Sequence, residues 1–164
     1  MRPEPIGLKD YMTYDPETGV FTWVKRRCQM AMPGKRVECK DNKGYIIFGW
    51  KGRNYRAHHV AWWWVTGEMP QGEMDHINNV RDDNRFCNLR KATSTQNNHN
   101  RRRPVTNTSG VKGVNWHKHK QQWAARITVN GVRISLGYYH SLDLATQAMR
   151  DAREYYHREF CNHG

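Results

Sequence analysis

The pair Asn130-Gly131 lies between QQWAARITV and VRISLGYY, two runs in which apolar and polar side chains alternate. Successive side chains of a strand face opposite ways, and an Asn-Gly pair accepts the positive-φ backbone of a two-residue hairpin turn. With VKGVNWHK before them, these runs specify three antiparallel strands. One face would carry Val114, Trp116, Trp123, Ala125, Ile127, Val129, Ile134 and Leu136 and pack on a helix. That helix follows as SLDLATQAMRDAREYYH, with a Ser cap and an early Asp. Leu144 or Ala145, Ala148, Ala152 and Tyr155 fall on its apolar stripe. The opposite sheet face carries Asn115, His117, Ala124, Arg126, Thr128, Arg133 and Ser135, a polar and basic surface of the kind that reads a major groove.

Before residue 100 the pattern is different. YDPETGVFTWV predicts a turn and a strand, and GYIIFGWKGRNYRA two strands joined at Lys51-Gly52. HHVAWWWVTGEMP predicts a helix ended by Gly67, its Trp62-Trp63-Trp64 run giving core plus one exposed ring. EMDHIN is a short strand, NNVRDDNR a loop, and Thr93 and Gln96 have capping-box spacing for a helix starting near Ser94. NRRRPVTNTSG is a basic, Pro- and Gly-containing connection. It sets the expected domains at 1–103 (a small β region over 1–55, then a strand-loop-strand-helix unit at about 73–101) and 104–164.

Within DHINNVRDDNRFCNLRKATSTQN, Asp75 and His76 are adjacent, Asn88 follows a polar loop, and Asn97 lies in the predicted helix. An imidazole takes a proton from water near neutral pH, and carboxylate and amide oxygens suit a hard divalent cation. That is the minimal equipment for hydrolysing a phosphodiester.

The joint pattern of DHIN, DNR, NLR, a capped helix and QNNHN resembles the HNH endonuclease motif in its phage-type variant with a third-position Asn. The resemblance takes in AHHVAW and GEMPQGEMDH upstream and covers most of residues 8–103. It implies an α+β chain with a ββα-metal nuclease domain. In it, His76 is the general base, Asp75 and Asn97 hold one Mg²⁺ or Mn²⁺, and Asn88 fixes the loop that orients the histidine. Asn98 or His99 takes Asn97's place if the helix register differs. His58 is read as structural or phosphate-facing.

GVNWHKHKQQWAARITV…RISLGYYHSLDLATQA resembles the DNA-binding domain of plant ethylene-response factors, most closely at WAA, at LG and in the AxxA-type helix. The resemblance implies that the open sheet face reads duplex DNA. Arg126 and Arg133 are the guanine-contact candidates, Asn115, His117 and Thr128 lie nearby, and Arg101, Arg102 and Arg103 lie beside phosphate. Asn115 and His117 depart from the arginines usual in the plant proteins, so the target sequence does not carry over.

Composition agrees with such a partner. Of 164 residues, 27 are Lys or Arg and 15 Asp or Glu, a formal +12 that favours a polyanion. Cys28, Cys39, Cys87 and Cys161 are scattered without zinc spacing, so no zinc is expected. The longest apolar run, VAWWWV, is too short to span a bilayer, and a soluble cytoplasmic protein with reduced thiols is expected. The sequence thus predicts a homing-type, metal-dependent DNA endonuclease, acting as a nicking monomer or a weak dimer. The alternative is a non-catalytic DNA-binding protein on a decayed nuclease scaffold.

Overall fold

The computed structural model describes residues 3–101 and 106–163, which fall into two compact units parting between Ala92 and Thr93. That division precedes the boundary expected at 103–104 and groups the Asn97 helix with the sheet.

The first unit is built from three short hairpins and a helix. Strands β1 (Met12–Asp15) and β2 (Val20–Trp23) pair antiparallel. Their turn closes because Asp15 accepts the Glu17 N–H (2.9 Å) and the Thr18 hydroxyl (2.7 Å), while Gly19 takes φ 74°. Strands β3 (Ile47–Trp50) and β4 (Arg53–Arg56) join through Lys51 and Gly52, both at positive φ as a two-residue hairpin demands. Helix α1 (Ala57–Thr66) ends where the Gly67 N–H reaches the Trp63 carbonyl at 2.8 Å. Strands β5 (Glu73–His76) and β6 (Leu89–Ala92) then pair so that Asp75 opposes Arg90 and His76 opposes Leu89.

Alternate residues of the hairpins, Met12 and Tyr14, Phe21 and Trp23, Phe48 and Trp50, meet the apolar face of α1 to form the core. The tryptophan run departs from expectation, because no ring of it is exposed. Trp63 is buried, Trp62 lies 5.4 Å from Phe86, and Trp64 sits edge-on to Phe21 at 5.9 Å. A helix only ten residues long, wrapped by strands and the 86–88 turn, has neighbours on several sides.

In the second unit, α2 (Ser94–Asn100) starts at the expected capping box. Thr93 Oγ1 accepts the Gln96 N–H at 3.2 Å, and Gln96 Oε1 accepts the Thr93 N–H at 2.8 Å. Strands β7 (Val114–His117), β8 (Gln122–Val129) and β9 (Val132–Tyr139) form an antiparallel sheet in that order, with Asn130 and Gly131 at φ 50° and 81°. Helix α3 (Leu142–His157) covers one face. Val114, Ala125 and Ile127 of the sheet meet Ala145, Met149 and Ala152 of the helix there.

Two details correct the sequence reading. The helix stripe is rotated, with Met149 inside while Leu144 and Tyr155 face solvent. Trp116, assigned to the packed face, is 42% exposed with its edge on Trp123, because β7 is short and α3 packs mainly against β8 and β9. On the other face Asn115, Arg126, Thr128, Arg133 and Ser135 are exposed, and Ala124 is buried. His117 packs edge-on to Tyr138 and Lys120 lies over the same ring. The open cationic patch therefore centres on the cross-strand pairs Arg126–Ser135 and Thr128–Arg133.

Candidate active site

Strand alternation turns Asp75 and His76 to opposite sides of β5, and both are buried at 5% and 4% exposure. Asp75 Oδ2 accepts from Arg90 Nε and Nη2, each at 2.8 Å, across the β5–β6 register. The carboxylate is thereby charge-paired inside the protein, which burial alone would not tolerate.

His76 sits among rings. His58 meets it edge-on at 4.9 Å and Tyr45 lies at 5.8 Å. Asn84 Oδ1 stands 3.5 Å from His76 Nε2. Burial lowers the His76 pKa below the ordinary histidine value, against the Asn84 contact and the nearby carboxylates Asp75, Asp83 and Asp82. The ring is therefore neutral near pH 7, the state a proton acceptor needs. His58, itself 2% exposed and 4.3 Å from His59, is a packing neighbour of His76.

The loop between the strands is fixed from two directions. Asn88, 6% exposed, accepts the Asn78 N–H at 3.0 Å and donates to Asn78 Oδ1 (3.0 Å) and the Asp83 carbonyl (2.8 Å). Asp83, held down to about 2 chiefly by the Arg85 hydrogen bonds, also accepts from Asn78 Nδ2 at 2.6 Å. From the amino-terminal side, the Tyr14 hydroxyl donates to the Asn84 carbonyl at 2.7 Å, and the Phe86 N–H donates to the Pro16 carbonyl at 3.0 Å. A Cβ on Gly19 would stand 2.5 Å from the Asn84 carbonyl carbon and would press on the Arg85 nitrogen. The β1–β2 turn thus lies directly against the loop that carries Asn84.

Asn97 and Arg101 belong to the second unit. Asn97 is half-buried in α2, its N–H bonded to the Thr93 carbonyl at 2.9 Å. Arg101 is exposed just past that helix, whereas Arg102 and Arg103 fall outside the described residues. The four cysteines are separate free thiols. Among the described residues, no three His, Cys, Asp or Glu side chains form a metal-binding group. Asp75 and the amide of Asn97 are hard oxygen donors, a type that fits Mg²⁺ or Mn²⁺ better than a soft ion. Asn84 and Arg90 were not singled out from sequence. Arg90 stands opposite Asp75 only through strand register, and Asn84 is one polar residue among many in a polar loop.

Residues 55–99, the stretch containing Asp75, His76, Asn88 and Asn97, match a family model described as HNH endonuclease. The chain carries an HNH endonuclease domain there. It is also 31% identical over 100 residues to Protein 3.8 of Escherichia phage T7, a match spanning 60% of this chain and 83% of that protein. The chain belongs to the family of that phage protein. No solved structure matches it. Among the described residues, no helix is long and apolar enough to cross a membrane.

Proposed function

We propose that the protein is a metal-dependent endonuclease of the homing type that cuts duplex DNA, with a nuclease part through residue 103 and a site-selecting part from 104 on. The observation that carries this reading is His76, a buried and neutral imidazole next in sequence to the buried Asp75, inside the segment that matches HNH endonucleases. His76 accepts the proton of a water attacking the scissile phosphorus. As the new P–O bond forms, the opposite P–O bond breaks and its oxygen leaves with the electron pair.

A divalent cation, Mg²⁺ or Mn²⁺, held by Asp75 and Asn97 would supply charge stabilisation to the pentacovalent phosphorus and the departing oxygen. Arg90 fixes the Asp75 carboxylate through Oδ2. Asn88 holds the loop closed, and Asn84 restrains the His76 ring. On the open sheet face Arg126 and Arg133 are suited to bidentate guanine contacts, flanked by Asn115, Thr128 and His117, with Arg101 available to phosphate. The resemblance of the sequence GVNWHKHKQQWAARITV to the plant ethylene-response domain supports the same role. One such site per chain cuts one strand, so a monomer nicks.

The test is nicking of supercoiled plasmid. Wild-type protein converts it to open circles with Mg²⁺ or Mn²⁺ and not in EDTA. His76→Ala keeps DNA affinity and loses at least the roughly 10²–10⁴-fold that general-base catalysis contributes. Undiminished nicking by His76→Ala overturns the assignment. Metal-stimulated DNA binding with no cleavage by the wild type favours the decayed scaffold.

A further inference from the structure

The carboxyl end of α2 is closed by side chains from far along the chain. A helix leaves its last carbonyls without intrahelical partners, and a helix of only seven residues has little stability of its own. Here Lys112 Nζ, from the segment leading into β7, donates to the His99 carbonyl at 2.8 Å and the Arg101 carbonyl at 2.7 Å. Asn162 Nδ2, from the segment after α3, donates to the Asn100 carbonyl at 2.7 Å. Three consecutive carbonyls at the end of the helix are thus capped by residues beyond it in sequence. A cation is the favourable group at a helix carboxyl terminus.

The side of α2 is held as well. The His99 ring lies flat on the His157 ring of α3, with centroids 3.6 Å apart and planes 7° off parallel. His157 is anchored in turn by its Nε2, 3.3 Å from the Thr128 carbonyl of β8. Arg153 of α3, 2% exposed, donates to the Lys112 carbonyl and fixes the segment from which Lys112 reaches out. Among the described residues, neither Lys112 nor Arg153 has a carboxylate at ion-pair distance. The carbonyls at the end of α2 are what receive the half-buried ammonium group. Burial lowers the Lys112 pKa to about 8, which leaves the group mostly charged at neutral pH.

We infer that Lys112 and Asn162, with the His99–His157 stack, are positioning residues that hold the helix presenting Asn97, so the sheet module supplies the frame of the second metal ligand as well as selecting DNA. This rests on the nuclease reading for the role of Asn97. It accounts for the parting of the two compact units before α2. It also separates the protein from a nuclease merely tethered to a reader, since removing residues from 104 on would release α2 from every one of these contacts.

The test uses full-length protein without DNA. Amide hydrogen exchange over 94–100 is followed in metal-free Lys112→Met, Asn162→Ala and Lys112→Arg, with the β8 and β9 amides as an internal reference. Mn²⁺ binding to the same proteins is measured by calorimetry, and DNA affinity in EDTA. In Lys112→Met the α2 amides exchange at least tenfold faster and Mn²⁺ affinity falls several-fold, while the sheet amides and DNA affinity are unchanged. Asn162→Ala shows a smaller effect of the same kind, and Lys112→Arg restores protection. Wild-type protection of α2 in both Lys112→Met and Asn162→Ala overturns the clamp. If Lys112→Met loosens the sheet too, Asn162→Ala decides. A wild-type protein that neither binds Mn²⁺ nor nicks DNA overturns the nuclease reading, and the exchange comparison still decides the clamp.

Discussion

Gly19 lies far from Asp75 and His76 in sequence, yet a single methyl group there would press directly on the loop of the candidate site. A Cβ built on Gly19 meets the Asn84 carbonyl carbon at 2.5 Å and the Asn84 nitrogen at 3.0 Å, where ordinary contact begins at 3.4 Å. Those atoms are backbone held by the Tyr14 hydroxyl and the Pro16 carbonyl, so they cannot swing aside as a flexible side chain would. Relief requires the 84–86 segment to withdraw by about 1 Å, and misplacing a catalytic group by that distance costs roughly 10²-fold in rate. The left-handed backbone adds roughly 1–2 kcal/mol for any L-residue. Overpacking contributes about 1–3 kcal/mol more, for a total near 2–5 kcal/mol.

Gly34→Ala is the matched control, because Gly34 has φ 81° and nothing stands within 4 Å of the point a Cβ would occupy. It carries the backbone penalty alone. Urea unfolding therefore shows Gly19→Ala losing distinctly more stability than Gly34→Ala. Plasmid nicking under folded conditions falls by one to two orders of magnitude in Gly19→Ala only. Equal stability losses with wild-type nicking in both would refute the account of the β1–β2 turn as the brace of the Asn84 loop.

Arg90→Met leaves the buried Asp75 carboxylate without its guanidinium, a change that destabilises by roughly 3–5 kcal/mol and is read by urea unfolding without metal. A shift under about 1 kcal/mol would show the pair to be dispensable. Burial holds His157 down to about 4, so the folded protein binds fewer protons than the unfolded chain. Its contribution is present above about pH 6.5 and is lost as pH falls towards 4, on the order of 2–3 kcal/mol. His157→Phe should flatten unfolding free energy across that window, and an unchanged pH slope would count against the buried neutral stack. Arg126→Ala should weaken and relax site binding by roughly 1–3 kcal/mol without changing the nicking rate at saturating DNA. Retained site preference would move base reading away from the Arg126–Ser135 end of the sheet.

Local chemistry made several elements legible. The Thr93–Gln96 box, Gly67 and the Asn130-Gly131 and Lys51-Gly52 turns each act through bonds or dihedrals within a few residues, and each stands where the sequence puts it. Among the candidate site residues, Asp75, His76 and Asn88 could be named because their types and spacing are distinctive. Arg90, Asn84 and Gly19 could not, since their importance comes from register and from contact between segments up to 70 residues apart. The rotated stripe of α3 and the exposed Trp116 were misread for a related reason. Periodicity defines a face, and the strand ends and neighbouring elements decide which residues of that face are covered.

Residue type and short-range spacing were enough to specify the short strands, the caps and turns, the segment that matches HNH endonucleases and a positive net charge. Three-dimensional packing alone pairs Asp75 with Arg90 and leaves His76 buried and neutral. It also brings Lys112 and Asn162 to the end of the helix bearing Asn97. Those properties arise from which distant groups share a low-dielectric interior, and chain order carries no direct record of that.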